Sequence, residues 1–163
     1  MTSMQTFEIA TNVIHRLSCS PETVAVAESL TGGLVSAALV AVPGASQVMR
    51  GGVTTYATET KHSVLAVDLP RLKTYGPVDP EVAQQMAENV RELFDTDWGI
   101  ATTGVAGPSE QDGHPVGEVY IAVANETDTV VKQLHLSGNR DEIRTQTVSE
   151  TLKLLLEFIS GDI

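Results

Sequence analysis

The sequence predicts an α/β fold, a three-layer α/β/α sandwich with a mixed, largely parallel sheet, and three observations carry that expectation. Apolar, β-branched runs at residues 23–28, 48–57 and 97–103 alternate with segments of helical periodicity. Each run leads into a turn rich in Gly, Ser or Thr. Two cleanly alternating strands then follow at 117–124 and 129–136, separated by Asn125-Glu126-Thr127-Asp128, which is the spacing of an antiparallel hairpin.

The elements follow in chain order. Phe7, Ile9, Ala10, Val13, Ile14 and Leu17 recur at helical spacing and predict an amphipathic first helix over 5–17. Residues 34–42 are small and apolar, a helix packed on most sides and stopped by Pro43-Gly44. Strand, helix and strand in that order imply a parallel pair, so residues 28 and 57 end at the same edge of the sheet. Residues 58–67 read as a short helix with Thr58 as its cap, and 69–77 as a connection. Asp79-Pro80-Glu81 opens a helix, with a capping side chain, proline at the first position and an acid in the first turn. That helix runs to Phe94 with Val82, Met86, Val90 and Leu93 on one face. After a polar loop to Pro115 and the hairpin, Asn139 opens a last helix that buries Ile143, Val148, Leu152, Leu155 and Ile159 and closes at Gly161. No repeat or linker divides residues 1–163, which read as one domain.

Composition excludes several classes. At 163 residues, 42% hydrophobic and a mean hydropathy of +0.03, the chain suits a globular core. The longest apolar stretch is too short to span a bilayer, and Met1-Thr2-Ser3-Met4-Gln5 has no secretory pattern. Cys19 is the single cysteine, so the expected compartment is the cytoplasm; with no basic neighbour it makes a poor nucleophile. The net charge of −11 repels nucleic acid and anionic membrane, so neither is an expected partner. A small anionic ligand remains open where Arg50, Lys61, Arg140 or Arg144 gather locally.

Ligands in open α/β sheets bind beyond the carboxyl ends of strands. Ser29, Thr31, Tyr56, Lys61, Thr102 and Thr103 therefore converge on one crevice. Ser29, at the start of a helix, is either its cap or a nucleophile; the unpaired N–H groups there suit either a phosphate or an oxyanion. A hydroxyl nucleophile needs a base, and no histidine with an acid partner presents itself. Lysine can serve when burial depresses its pKa, and Lys61 is the lysine near this edge. The histidine and acid spacings predict no metal site, and no Walker or Gly-x-Gly-x-x-Gly loop is present, so no cofactor is expected.

The motif Ala27-Glu28-Ser29-Leu30-Thr31-Gly32-Gly33, the segment 52–61 with Tyr56 and Lys61, Thr103-Gly104-Val105-Ala106-Gly107-Pro108, and Pro115-Val116-Gly117-Glu118-Val119-Tyr120 resemble the CinA C-terminal domain family. That family includes the nicotinamide-nucleotide amidohydrolases (NMN deamidases). The resemblance covers nearly the whole chain and is to the stand-alone form, without the nucleotide-binding domain that many members carry. It implies a Ser/Lys amidohydrolase that converts nicotinamide mononucleotide to nicotinate mononucleotide and ammonia, without a cofactor. By position, Ser29 is the implied nucleophile and Lys61 its base, with Tyr56 orienting the lysine or relaying the proton. Backbone N–H groups near Thr31, Gly32 and Gly33 are implied for the oxyanion or the phosphate. Thr103 and Gly104 are implied beside the nicotinamide or ribose, and Arg140 at the phosphate. The pattern departs at Ser109-Glu110, where members have a glycine pair, at His114, where they have lysine, and at Asp79, where they have serine. Two alternatives stand beside this expectation: a non-catalytic nucleotide- or partner-binding module, and an amidase for another carboxamide. A homodimer is expected from the family and from the hairpin edge.

Overall fold

The computed structural model describes residues 3–163; the start of the Met1-to-Gln5 stretch read for a leader lies outside the described residues. Five strands form one sheet in the order β2-β1-β3-β4-β5. β1 (Val24–Glu28) pairs in parallel with β2 (Met49–Thr54) and with β3 (Trp98–Gly104). β4 (Glu118–Ala124) runs antiparallel to β3, and β5 (Thr129–His135) antiparallel to β4. The expected mixed sheet is therefore present, parallel at its β2-β1-β3 core.

Strand alternation sets the two helical layers apart. Val24 and Val26 of β1, Ile100 of β3 and Ile121 and Val123 of β4 face α1 (Ser3–Cys19), α2 (Leu34–Val40) and α6 (Arg140–Ser160) in one apolar cluster with Val13, Leu17 and Leu152. The opposite face is built from Ala25, Ala27, Ala101 and Ala122, beneath α3 (Thr58–Leu65), α4 (Leu69–Tyr75) and α5 (Pro80–Phe94). Alanine and glycine on that face let α5 approach closely. A Cβ at Gly99 would collide with the Ala87 carbonyl and come within 2.8 Å of Arg91 Cβ. Gly99→Ala is accordingly expected to destabilise the protein by about 3 kcal/mol, read as a lower urea midpoint at unchanged slope.

Several local expectations are corrected. Residues 69–75 form a helix rather than a connection: Asp68 caps it by accepting from the Arg71 N–H, and Pro70 falls in the first turn, where its missing donor costs nothing. Thr58 is the first helical residue of α3 and Ala57 its cap position, with no side-chain cap. β2 stops at Thr54, before Tyr56, and α2 stops at Val40. Phe7 and Leu93 turn outward, at 46% and 53% exposure, and Ile159 is only half-buried. Asp79 caps α5 as expected and also takes a two-pronged bond from Arg71 at 2.7 and 2.9 Å. No helix among the described residues is long and apolar enough to cross a membrane.

Candidate active site

Ser29 leaves the C-terminal end of β1 and is fixed through its backbone, its N–H donating to the Thr102 carbonyl of β3 at 3.1 Å. Parallel pairing of β1 with β2 brings the chain after Thr54 alongside, where the Thr55 N–H donates to the Glu28 carbonyl at 2.9 Å. One turn into α3, Lys61 points back under this junction. It has no exposed surface, an unusual state for a lysine. Its Nζ donates to the Thr55 carbonyl at 2.7 Å and to Ser29 Oγ at 3.0 Å. Burial lowers its pKa to about 8, against the opposing pull of Glu59. An amine with that pKa is partly neutral near pH 7 and can take a proton from the hydroxyl beside it. His62, the next residue, turns away to the Val67 carbonyl.

Ser29, Tyr56, Lys61, Thr103, Gly104 and Arg140 border one cavity of about 120 Å³. Thr103 holds its rim by donating from Oγ1 to the Pro77 carbonyl at 2.7 Å. Arg140, the first residue of α6, reaches over the mouth, donating to the Gly107 carbonyl at 2.6 Å and to the Tyr56 hydroxyl at 3.0 Å. Tyr56 is 62% exposed and bound by Arg140. The lysine is instead oriented by the Thr55 carbonyl, which corrects the orienting role expected of Tyr56.

Thr31, Gly32 and Gly33 do not border the cavity. Thr31 is fully buried, its hydroxyl paired with that of Thr102 at 2.8 Å. The Gly32 N–H closes the turn onto the Ser29 carbonyl, and the Gly33 N–H goes to Glu28. Ser29 is not the cap of α2 either; Gly33 occupies that position at φ 104°, a left-handed backbone suited to glycine. The helix end is already filled. The Glu28 carboxylate, 1% exposed, accepts from the N–H groups of Gly33, Val35 and Ser36 and from the Ser36 hydroxyl. The expectation of free N–H groups there fails because the chain supplies its own anion.

Sequence reasoning missed the roles of Glu28 and Thr55, placed Thr102 in the crevice without a partner, and offered Arg144 only as a cation for a small anionic ligand. Arg144 donates to the carbonyls of Leu30 and Thr31 at 2.9 and 3.2 Å and so clamps the turn from α6. Its spacing from Arg140 was the available signal, since residues four apart share a helix face. Among the described residues no group of three or more His, Cys, Asp or Glu side chains is placed to hold a metal ion.

Comparison with known proteins agrees with the resemblance. The model of the CinA C-terminal domain family matches residues 6–159. A protein of Geobacillus kaustophilus bearing a competence-damage inducible name is 46% identical over 153 residues, covering 93% of this chain and 37% of that protein. A CinA-like protein of Frankia casuarinae is 45% identical over 139 residues, covering 85% of this chain and 32% of the relative. The chain thus spans about a third of the length of these relatives. The crystal structure of the competence/damage inducible protein CihA from Agrobacterium tumefaciens superposes with a TM-score of 0.90 at 32% identity, covering 93% of this chain and 94% of that one. A CinA superfamily protein from Escherichia coli superposes with a TM-score of 0.92 at 29% identity, covering 97% and 93%. With the family model matched over residues 6–159 and a relative 46% identical over 153 residues, the chain belongs to the CinA C-terminal domain family.

Proposed function

We propose that the protein is an amidohydrolase that deamidates nicotinamide mononucleotide to nicotinate mononucleotide and ammonia. The observation that carries this reading is the buried contact of Lys61 Nζ with Ser29 Oγ at 3.0 Å. The neutral Lys61 amine removes the Ser29 proton as Oγ attacks the carboxamide carbon, giving a tetrahedral adduct. Lys61 then returns that proton to the departing nitrogen; the C–N bond breaks, ammonia leaves and an ester to Ser29 remains. Water, deprotonated by Lys61, attacks the ester carbon, and the proton goes back to Oγ as the acid is released. In this reading the carboxamide ring enters the cavity of about 120 Å³ beside Ser29 and Lys61, with the phosphate at the mouth beside Arg140. A homodimer belongs to the same reading, supported by the family and by the open edge of β5.

Ammonia release by purified protein over a panel of nicotinamide mononucleotide, nicotinamide riboside, nicotinamide and unrelated carboxamides tests the reading. Release from the nucleotide first among these is expected. Release from unrelated carboxamides alone would select the other-amide alternative, and ligand-dependent melting without ammonia would select the binding module.

Two further outcomes follow from the geometry. Because only the neutral amine accepts the proton, kcat/KM should climb with unit slope at low pH and level off above a midpoint near 8. A midpoint near the ordinary 10.5 of lysine would contradict the role of burial. Arg140→Ala should raise KM for the nucleotide by about 10- to 100-fold with kcat little changed, the loss of a charge-assisted bond. The riboside, lacking phosphate, should show no such dependence.

A further inference from the structure

Amide cleavage places negative charge on the carboxamide oxygen, and a site that speeds it holds donors where that charge develops. The turn after Ser29 has few donors left. Glu28 takes the N–H groups of Gly33, Val35 and Ser36 at 2.8 to 3.0 Å. The Ser29 N–H goes to Thr102, the Gly32 N–H to Ser29, and the Leu34 N–H to Thr31. Among the described residues of this turn, the N–H groups of Leu30 and Thr31 remain without an acceptor.

Of those two residues, Leu30 borders the cavity and Thr31 does not. The Leu30 side chain belongs to the apolar core shared with α2 and α6, and the residue is 3% exposed. What it turns to the cavity is therefore backbone. The Ser29 carbonyl is held inside the turn by the Gly32 N–H at 3.1 Å. In a planar trans peptide the following N–H points opposite to that carbonyl, so the Leu30 N–H is aimed out of the turn. A flip of this peptide would break the Gly32 bond to the Ser29 carbonyl, and Arg144 pins the next two carbonyls from α6.

We propose that the backbone N–H of Leu30 is the oxyanion donor of this site, the end of α2 being already occupied by Glu28. The inference rests on the amidohydrolase reading. As the Ser29 Oγ–carbon bond forms, the carbonyl electron pair moves onto oxygen, and the Leu30 N–H donates to it. When the C–N bond breaks the pair returns to the carbonyl and nitrogen leaves as ammonia with the proton from Lys61.

Replacing Leu30 by its α-hydroxy acid puts an ester oxygen where the N–H stands and keeps the side chain. This variant should lose about 10²- to 10³-fold in kcat with KM for nicotinamide mononucleotide within a few-fold, while the same exchange at Thr31 leaves kcat close to wild type. As a measurement independent of variant folding, saturating the wild type with pyridine-3-boronic acid, whose Ser29 adduct mimics the tetrahedral state, should move the Leu30 amide proton downfield and leave that of Thr31 in place. A kcat kept in the Leu30 ester, a loss confined to the Thr31 ester, or an unmoved Leu30 proton in the saturated adduct overturns the assignment. A wild type that releases no ammonia from any carboxamide sinks the amidohydrolase reading as well; one that turns over normally separates the two.

Discussion

Ser29→Ala is expected to lower ammonia release by about 10⁴-fold or more while the melting curve stays in place. The two halves of that expectation have different causes. Catalysis by covalent attack loses its nucleophile once the oxygen is gone, and the hydroxyls of Thr31 and Thr103 are engaged elsewhere, with Thr102 and with the Pro77 carbonyl. Folding, by contrast, uses Ser29 through its backbone, which alanine retains. The side chain contributes one bond, from Lys61, worth about 1 kcal/mol, and Lys61 keeps its bond to the Thr55 carbonyl. Binding of the nicotinate nucleotide should also persist, since Arg140 and Thr103 are untouched. Unchanged turnover in this variant would remove Ser29 from the mechanism.

The frame of the site was legible in the sequence for a definite reason. Strands that alternate with helices must run parallel, and parallel strands end at one edge, so Ser29, Tyr56, Lys61 and Thr103 were bound to meet there. What stayed hidden was decided by side chains reaching across elements. Glu28 looked like the last residue of a strand, and nothing local says that its carboxylate bends forward to cap the next helix. Thr55 acts through its carbonyl, which leaves no residue-type signature. α4 reads as a connection in the sequence because Asp68 and Gly76 bracket only seven residues, too few for periodicity to show. The same logic explains Phe7 and Leu93: they lie near the margin of an apolar stripe, and packing, not spacing, chose the side.

Lys61→Met should abolish the reaction and also change how stability follows pH. Methionine fills similar space without the charge, so the core around α3 should survive. Activity should fall by about 10⁴-fold, the upper end for a general base, because Lys61 serves both the attack and the leaving nitrogen. The stability effect has a sign that can be worked out. In the fold the Lys61 pKa is about 8, below its ordinary 10.5. Between these values the unfolded chain binds the extra proton and the native protein does not, so native stability rises with pH across that window. A shift from 10.5 to about 8 corresponds to about 3 kcal/mol, present as a penalty below pH 8 and relieved by the upper limit. The methionine variant lacks this titration, while the other titrating groups are common to both proteins. The difference in unfolding free energy between wild type and variant should therefore move toward the wild type by about 3 kcal/mol from pH 8 to 10.5. Urea unfolding of the two proteins at both limits measures that difference. A flat difference would mean that the amine carries no penalty for its proton in the fold, and a Lys61 that keeps its proton so easily could not serve Ser29 as a base.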